Sequence, residues 1–323
     1  MIRACILAAA LATAALAPGL ALAQAWPARP IKLVVGFPPG GGTNAVARLL
    51  ADQMSRSIGQ QVVVDNRAGA GGRVGAQSVA RADADGYTVL FGTDAELAIA
   101  MVTTKAMPYD PVKDLAPVSM AGRGPYVLAV HGGFAPNTLA ELIAHAKANP
   151  GKVNFGSFGK GAQNHIIDER FKLAAGIRTT HIPYKGSGPV IVDLVGGQID
   201  YTFATPAVTL PLAKAGKLKI LAVGAAQRLA AAEQIPTLSE AGLPGFTAGS
   251  WYGVMVPAGT PAAVIQRLNA EVVAGMRAAE MRQALDALSI VPTSSTPAEL
   301  GQLIRAEIAS LQALATKIGL EAE

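Results

Sequence analysis

The segment IKLVVGFPPGGGTNAVARLL, residues 31 to 50, constrains the fold more than any other. An uninterrupted apolar run leads into two prolines and three consecutive glycines, and an amphipathic helix follows. IKLVV lacks the apolar–polar alternation of a strand with one wet face, so it reads as a strand covered by helices on both sides. Val46, Leu49, Leu50, Met54 and Ile58 recur at helical spacing, with Thr43 or Asn44 placed to cap the helix. Strand-like runs continue at 61–65 (QVVVD) and 87–91 (YTVLF), and again at 126–130, 153–156, 180–184, 199–203 and 218–224. Helical patterns separate them, including one opened by a Thr138 to Glu141 capping box. Thr260-Pro261 and Thr296-Pro297 announce two closing helices. The alternation predicts α/β layers, and a chain of 323 residues that is 51% hydrophobic and 15% charged has the material for two lobes.

The glycine turn takes its meaning from a weak internal echo. LVVGFPPGGGTNAVARLLADQM and VNFGSFGKGAQNHIIDERFKLAAG start about 120 residues apart and share one plan: strand, glycine-rich turn with hydroxyl or amide side chains, amphipathic helix. Such a turn exposes the free N–H groups and positive dipole end of a helix, which favour an anion. Two turns on two lobes could grip one anion from both sides. The alternative is that these glycines only make tight strand-to-helix turns. Neither turn carries the Lys-Ser/Thr of a phosphate loop, and neither GAGGRVG nor FGKGAQN has dinucleotide spacing.

Several function classes are excluded by composition. The first 25 residues combine Arg3, an apolar stretch from Ala4 to Ala17, a Pro18-Gly19 break and small-residue cleavage patterns ending at Ala23 and Ala25. These are the marks of a signal peptide on an exported, soluble chain. The single cysteine, Cys5, lies within it, which leaves the mature chain without disulfides or thiolate chemistry. Without Arg3 there are 26 cations against 22 anions, and they are dispersed, which suits small anions and not nucleic acid. His131, His145, His165 and His181 show no metal-ligand spacing, and no cofactor motif is present. Ser157 with His165 and a distant acid would make a hydrolase, but a serine beside glycine at a helix start more often caps or binds an anion.

WPARPIKLVVGFPPGGGTNAVARLLA, VVVDNRAGAGGRVGAQSVARADADGYTVLFGT, NFGSFGKGAQNH, HIPYKGSGPVIVDLVGGQID and WYGVMVPAGTP together resemble the Bug family, the substrate-binding proteins of tripartite tricarboxylate transporters. The likeness covers the mature chain in order. It implies a two-lobe periplasmic binding protein fold of type II-like form, each lobe a mixed sheet flanked by helices, hinge-linked at crossing segments near 124–128 and 247–253. Lobe 1 would be 26–124 plus 253–323, and lobe 2 125–252. It further implies a monomer that captures a small carboxylate, performs no chemistry on it, and delivers it to membrane permease subunits. A ligand-sensing subunit of a signalling system is the alternative.

The site that the resemblance implies comprises Phe37, Gly41, Gly42, Thr43 and Asn44 on the first loop, and Thr93 and Asp94 after the third strand. The second lobe would add Ser157, Gly159, Lys160, Gly161, Asn164, His165 and Thr205. Asn44 stands where the family commonly has aspartate, Lys160 where it is commonly small or uncharged, and Asp94 and Glu96 where it is commonly small and polar. With Lys160 and Asp94 on opposite lobes beside the cleft, the expectation is a ligand with two unlike ends.

Overall fold

The computed structural model describes residues 26–322. The expected signal peptide, its cleavage sites and Cys5 lie outside them. The chain enters through β1 (Ile31–Val35), α1 (Gly42–Ile58), β2 (Val62–Asn66), α2 (Arg73–Ala80) and β3 (Thr88–Thr93). A π-turn at Ala95–Ile99 then runs into α3 (Ala100–Thr103), followed by β4 (Leu115–Pro125). A second unit comprises β5 (Val127–His131), α4 (Leu139–Ala148), β6 (Asn154–Ser157), α5 (Gln163–Ala175) and β7 (Thr180–Pro183). It continues with α6 (Ser187–Val195), β8 (Tyr201–Ala204), α7 (Pro206–Lys214) and β9 (Leu218–Val223). The chain returns through β10 (Gly249–Pro257), α8 (Ala262–Arg277), α9 (Ala279–Ala287), β11 (Val291–Ser294) and α10 (Pro297–Ile318).

These strands form two mixed sheets, ordered β11-β4-β10-β3-β1-β2 and β7-β6-β8-β5-β9. Helices cover both faces of the first. Val46, Leu50 and Met54 of α1 meet Leu268 and Val272 of α8 on one face, while Leu97, Leu300, Ile304 and Leu311 fill the other. Four of the five β1 residues are buried, as their unbroken apolar run requires, and each such side chain contributes about 1.5–3 kcal/mol. In the second lobe Phe155, Phe171, Tyr201 and Phe203 make the core. Sheet membership changes within two residues between Pro125 and Val127, and again between Val223 and Gly249.

Where the chain crosses, backbones touch. Tyr126 N donates to the Ala248 carbonyl, Ala248 N to that of Gly224, and Gly224 N to that of Tyr126. Gly249 sits at φ 154°, and a Cβ there would lie 2.6 Å from Pro125 Cα, so only glycine lets the two crossing segments lie side by side.

Sequence and structure differ at some termini. Helix α1 begins at Gly42 with Gly41 as its N-cap, so Thr43 and Asn44 fall inside the first turn and neither caps it. Pro261 keeps extended backbone before α8, and the closing pattern breaks at Ala278 into α8 and α9, giving three helices in place of two. Thr296 and Glu299 do form a reciprocal capping box. Among the described residues no helix is long and apolar enough to cross a membrane.

Candidate ligand-binding cleft

Strand register decides which loops meet. Strands β1, β2 and β3 are parallel, while antiparallel pairing sets Tyr252 opposite Thr93, Gly249 opposite Pro125 and Arg123 opposite Val291. One edge of the first sheet therefore carries the ends of β1 to β4 and the starts of β10 and β11. In the second sheet Val127 pairs with both Ala204 and Val223, so the ends of β6 to β9 share an edge with the start of β5. The two-residue crossing from Pro125 to Val127 joins these edges, and the glycine turns after β1 and β6 both lie between the lobes. That is where ligands bind in open α/β sheets.

The first turn is held from behind. Asn66, at the end of β2, donates through Nδ2 to the Phe37 carbonyl at 2.8 Å and to Asn44 Oδ1 at 2.9 Å. Asn44 is buried and thereby pins the turn. Gly40, Gly41 and Gly42 are exposed, and no side chain caps α1, which leaves its first-turn N–H groups without a side-chain acceptor. Gly41 has an ordinary φ of −82°, and the left-handed residue of the turn is Gly40 at 90°.

The second turn is organised by Asn164. Its Oδ1 accepts from Phe158 N at 3.0 Å, and its Nδ2 donates to the Phe203 carbonyl at 3.3 Å. His165 Nδ1 accepts from Gly161 N at 3.0 Å, which leaves the Nε2 proton facing Glu169 Oε1 at 3.5 Å. The ring stacks on His181 with centroids 3.9 Å apart. Ser157 pairs with His181 and not with His165: its Oγ lies 2.5 Å from His181 Nε2 and also contacts Gly159. Ser157 is completely buried, so the hydroxyl is a structural element of the turn and is out of reach of a substrate. Helix α5 starts after Ala162, again with no side-chain cap.

The lobes meet beside these turns. Gln163, the first residue of α5, donates through Nε2 to Asp94 Oδ2 and, at 2.9 Å, to the Gly249 carbonyl, and it accepts from Tyr126 Oη at 3.0 Å. Ser250 Oγ donates to the other Asp94 oxygen at 2.5 Å. Burial, followed by the nearby Glu307 carboxylate, pushes the Asp94 pKa well above the usual carboxylate range. Ile166 of α5 enters the first-lobe core with Ile99 and Trp251. Thr93 serves its neighbour, donating through N and Oγ1 to the Glu96 carboxylate at 2.8 and 2.5 Å. Burial raises the Glu96 pKa to about 7. Thr205 is exposed at the N-cap of α7, and its carbonyl accepts from Thr209.

The two charges expected to bracket one ligand line different cavities. Asp94 borders one of about 880 Å3 that runs past the crossing strands. Lys160 borders one of about 400 Å3, with His165, His181 and the end of α10 at Ile318–Leu320. Residues 37–44 line neither. Asn66, Gln163, Tyr126 and Ser250 were not singled out by the sequence. Asn66 and Ser250 sit on the cleft-facing strand edge, a positional signal available once the strands are assigned. Among the described residues no group of three metal-ligating side chains occurs.

The model of the tripartite tricarboxylate transporter family receptor, TctC, matches residues 46–320. The chain belongs to the TctC family. BugT of Bordetella pertussis is 39% identical over 92% of this chain and 91% of its own. Among solved structures, R. palustris Rpa4515 with adipate is 35% identical, with a TM-score of 0.77 over 92% of this chain and all of its own. MatC from Rhodopseudomonas palustris with bound malate is 31% identical, with a TM-score of 0.71 over 90% and 99%. TctC proteins are receptors of transport systems and not enzymes, and the two-lobe fold of this chain is theirs.

Proposed function

We propose that this TctC protein is a periplasmic receptor that closes on a small carboxylate between its two glycine turns and hands it to transporter permease subunits. The observation that carries the reading is the pair of strand–glycine turn–helix units on opposed sheet edges, each helix lacking a side-chain cap. The exposed backbone of Gly41, Gly42 and Thr43 would meet the carboxylate from lobe 1, with Phe37 beside it. The turn from Ser157 to His165 would meet it from lobe 2, with Gly159 and Gly161 nearest. Asn44, Thr93, Asp94, Ser157, Asn164 and His165 would act by holding the turns, because each side chain already has a hydrogen-bond partner within the protein. Thr205 would border the far end. In this division lobe 1 takes residues 26–125 and 249–322, and lobe 2 the segment between. Relatives with adipate and malate support a carboxylate of four to six carbons.

Mass spectrometry of small molecules released on denaturing the freshly purified protein tests this reading. A small carboxylic acid should appear near one per chain, and adding it back should raise the melting temperature of the stripped protein. No bound acid, together with a flat thermal-shift response across C3 to C6 mono- and dicarboxylates, would overturn it.

A further inference from the structure

The 880 Å3 cavity is placed where the glycine turns are not. Along the edge of the first sheet the strand order is β11, β4, β10, β3, β1, β2, so the first glycine turn, after β1, lies toward one end and β11 is at the other. The crossing strands β4 and β10 stand between them. The cavity starts at Asp94 after β3, passes Arg123 and Ser250, and ends at Ser289–Thr293; its second-lobe walls are the face of α5 and the segment 224–231 after β9. It is a space between the lobes on the hinge side, and its volume falls in the range of small-molecule sites.

The chemistry of the walls is uneven. Ile99, Ile166, Ile167, Leu303 and Leu311 give an apolar surface. Arg123 from lobe 1 and Arg170 from lobe 2 also line the space. Both act on the Glu307 carboxylate, which also lines the cavity, and oppose the rise that burial gives its pKa. Among the described residues neither guanidinium has a carboxylate oxygen within 4 Å; Arg123 Nη2 rests 3.8 Å from Met120 Sδ, and Arg170 lies 5.4 Å from the Phe246 ring centroid. Two of the three acids lining the cavity are engaged: Glu307 accepts from Trp251 Nε1 at 2.6 Å, and Asp94 is held by Ser250 and Gln163, while Asp286 borders the far end beside Ser289. Two planar donors from different lobes beside an apolar wall match a single carboxylate or sulfonate on an apolar body.

We propose that this hinge-side cavity is a second ligand site, separate from the glycine-turn cleft, that takes an organic monoanion with an apolar body of about eight carbons. Its occupant touches both lobes and bridges them through Arg123 and Arg170.

Octanoate is the probe, with octanol as its uncharged control. Calorimetric titration of the full chain should show saturable one-to-one octanoate binding. Affinity should fall at least tenfold in R123Q/R170Q and with octanol in place of octanoate, and stay unchanged in Gly41→Val. With Trp26→Phe, which leaves Trp251 as the sole tryptophan of the chain, octanoate should shift the emission. Circular dichroism confirms that each variant is folded. Absent saturable binding, equal affinity in R123Q/R170Q, or loss of octanoate binding in Gly41→Val would each overturn the proposal; the last would put the anion in the glycine cleft. Because Gly41→Val removes only the first-turn site, failure of this proposal and failure of the carboxylate-receptor reading give different results.

Discussion

At the scale of single residues, Glu96 shows how the fold sets the chemistry beneath the cleft. It is fully buried, and its two oxygens take the Thr93 N–H and hydroxyl. These bonds favour the carboxylate, but desolvation outweighs them and the pKa rises from 4.5 to about 7. The unfolded chain releases this proton near pH 4.5 and the folded chain keeps it to about 7, so the contribution of Glu96 to stability falls as pH rises through that window. The full change is roughly 3 kcal/mol. Glu96→Gln removes the titration, so the difference in melting temperature between variant and wild type should move in the variant's favour from pH 5 to pH 8. A parallel pH dependence for the two proteins would show that Glu96 does not titrate there. The sequence singled out Glu96 as a departure, but its Thr93 partner role depends on the π-turn that brings position 96 back over 93.

At the scale of elements, the glycine turn works because its neighbours are also glycine. A Cβ on Gly36 would lie 2.5 Å from the Gly72 carbonyl oxygen, and one on Gly75 would lie 2.7 Å from Gly36 Cα. The turn after β1 thus rests backbone to backbone on the segment that opens α2. Gly36→Ala should lose about 1–3 kcal/mol in urea unfolding, since both neighbours are main chain and cannot rotate away. Unchanged stability would mean that the two segments are not packed in this way. Much at this scale was legible. β1, β2 and β3 lie on the continuous apolar or β-branched runs read at 31–35, 61–65 and 87–91, β9 falls within the run at 218–224, and both glycine turns fall between strand and helix as read. β4 escaped because LAPVSMAGRGP mixes polar residues, prolines and glycines, and β11 because VPTS is a short edge strand with no apolar run. The caps at Thr43 and Asn44 were misread because a glycine N-cap gives no side-chain signal.

At the scale of the whole molecule, the two lobes are coupled by contacts that no local pattern encodes. Gln163 of lobe 2 reaches Asp94 across 69 positions and the Gly249 carbonyl across 86. Resemblance located the turns, but it could not show that Asp94 is spent on this bridge or that Lys160 faces a different cavity. Gln163→Leu leaves one Asp94 oxygen without its donor, a loss of roughly 1–3 kcal/mol felt only when the lobes touch. The ligand-free variant should therefore have a larger radius of gyration by small-angle scattering than wild type, and weaker ligand affinity. Identical scattering curves would show that the bridge does not bias lobe position.

The central claim is that a carboxylate docks on the bare backbone of the first glycine turn. Gly41 is the residue to test, because a Cβ there meets nothing within 4 Å and its φ suits a β-branched side chain. Valine at this position should leave the melting temperature within a few degrees of wild type. Calorimetric titration of the acid released from the purified protein should then show one-to-one binding to wild type and at least hundredfold weaker binding to Gly41→Val. Equal affinity in the two proteins would contradict the account.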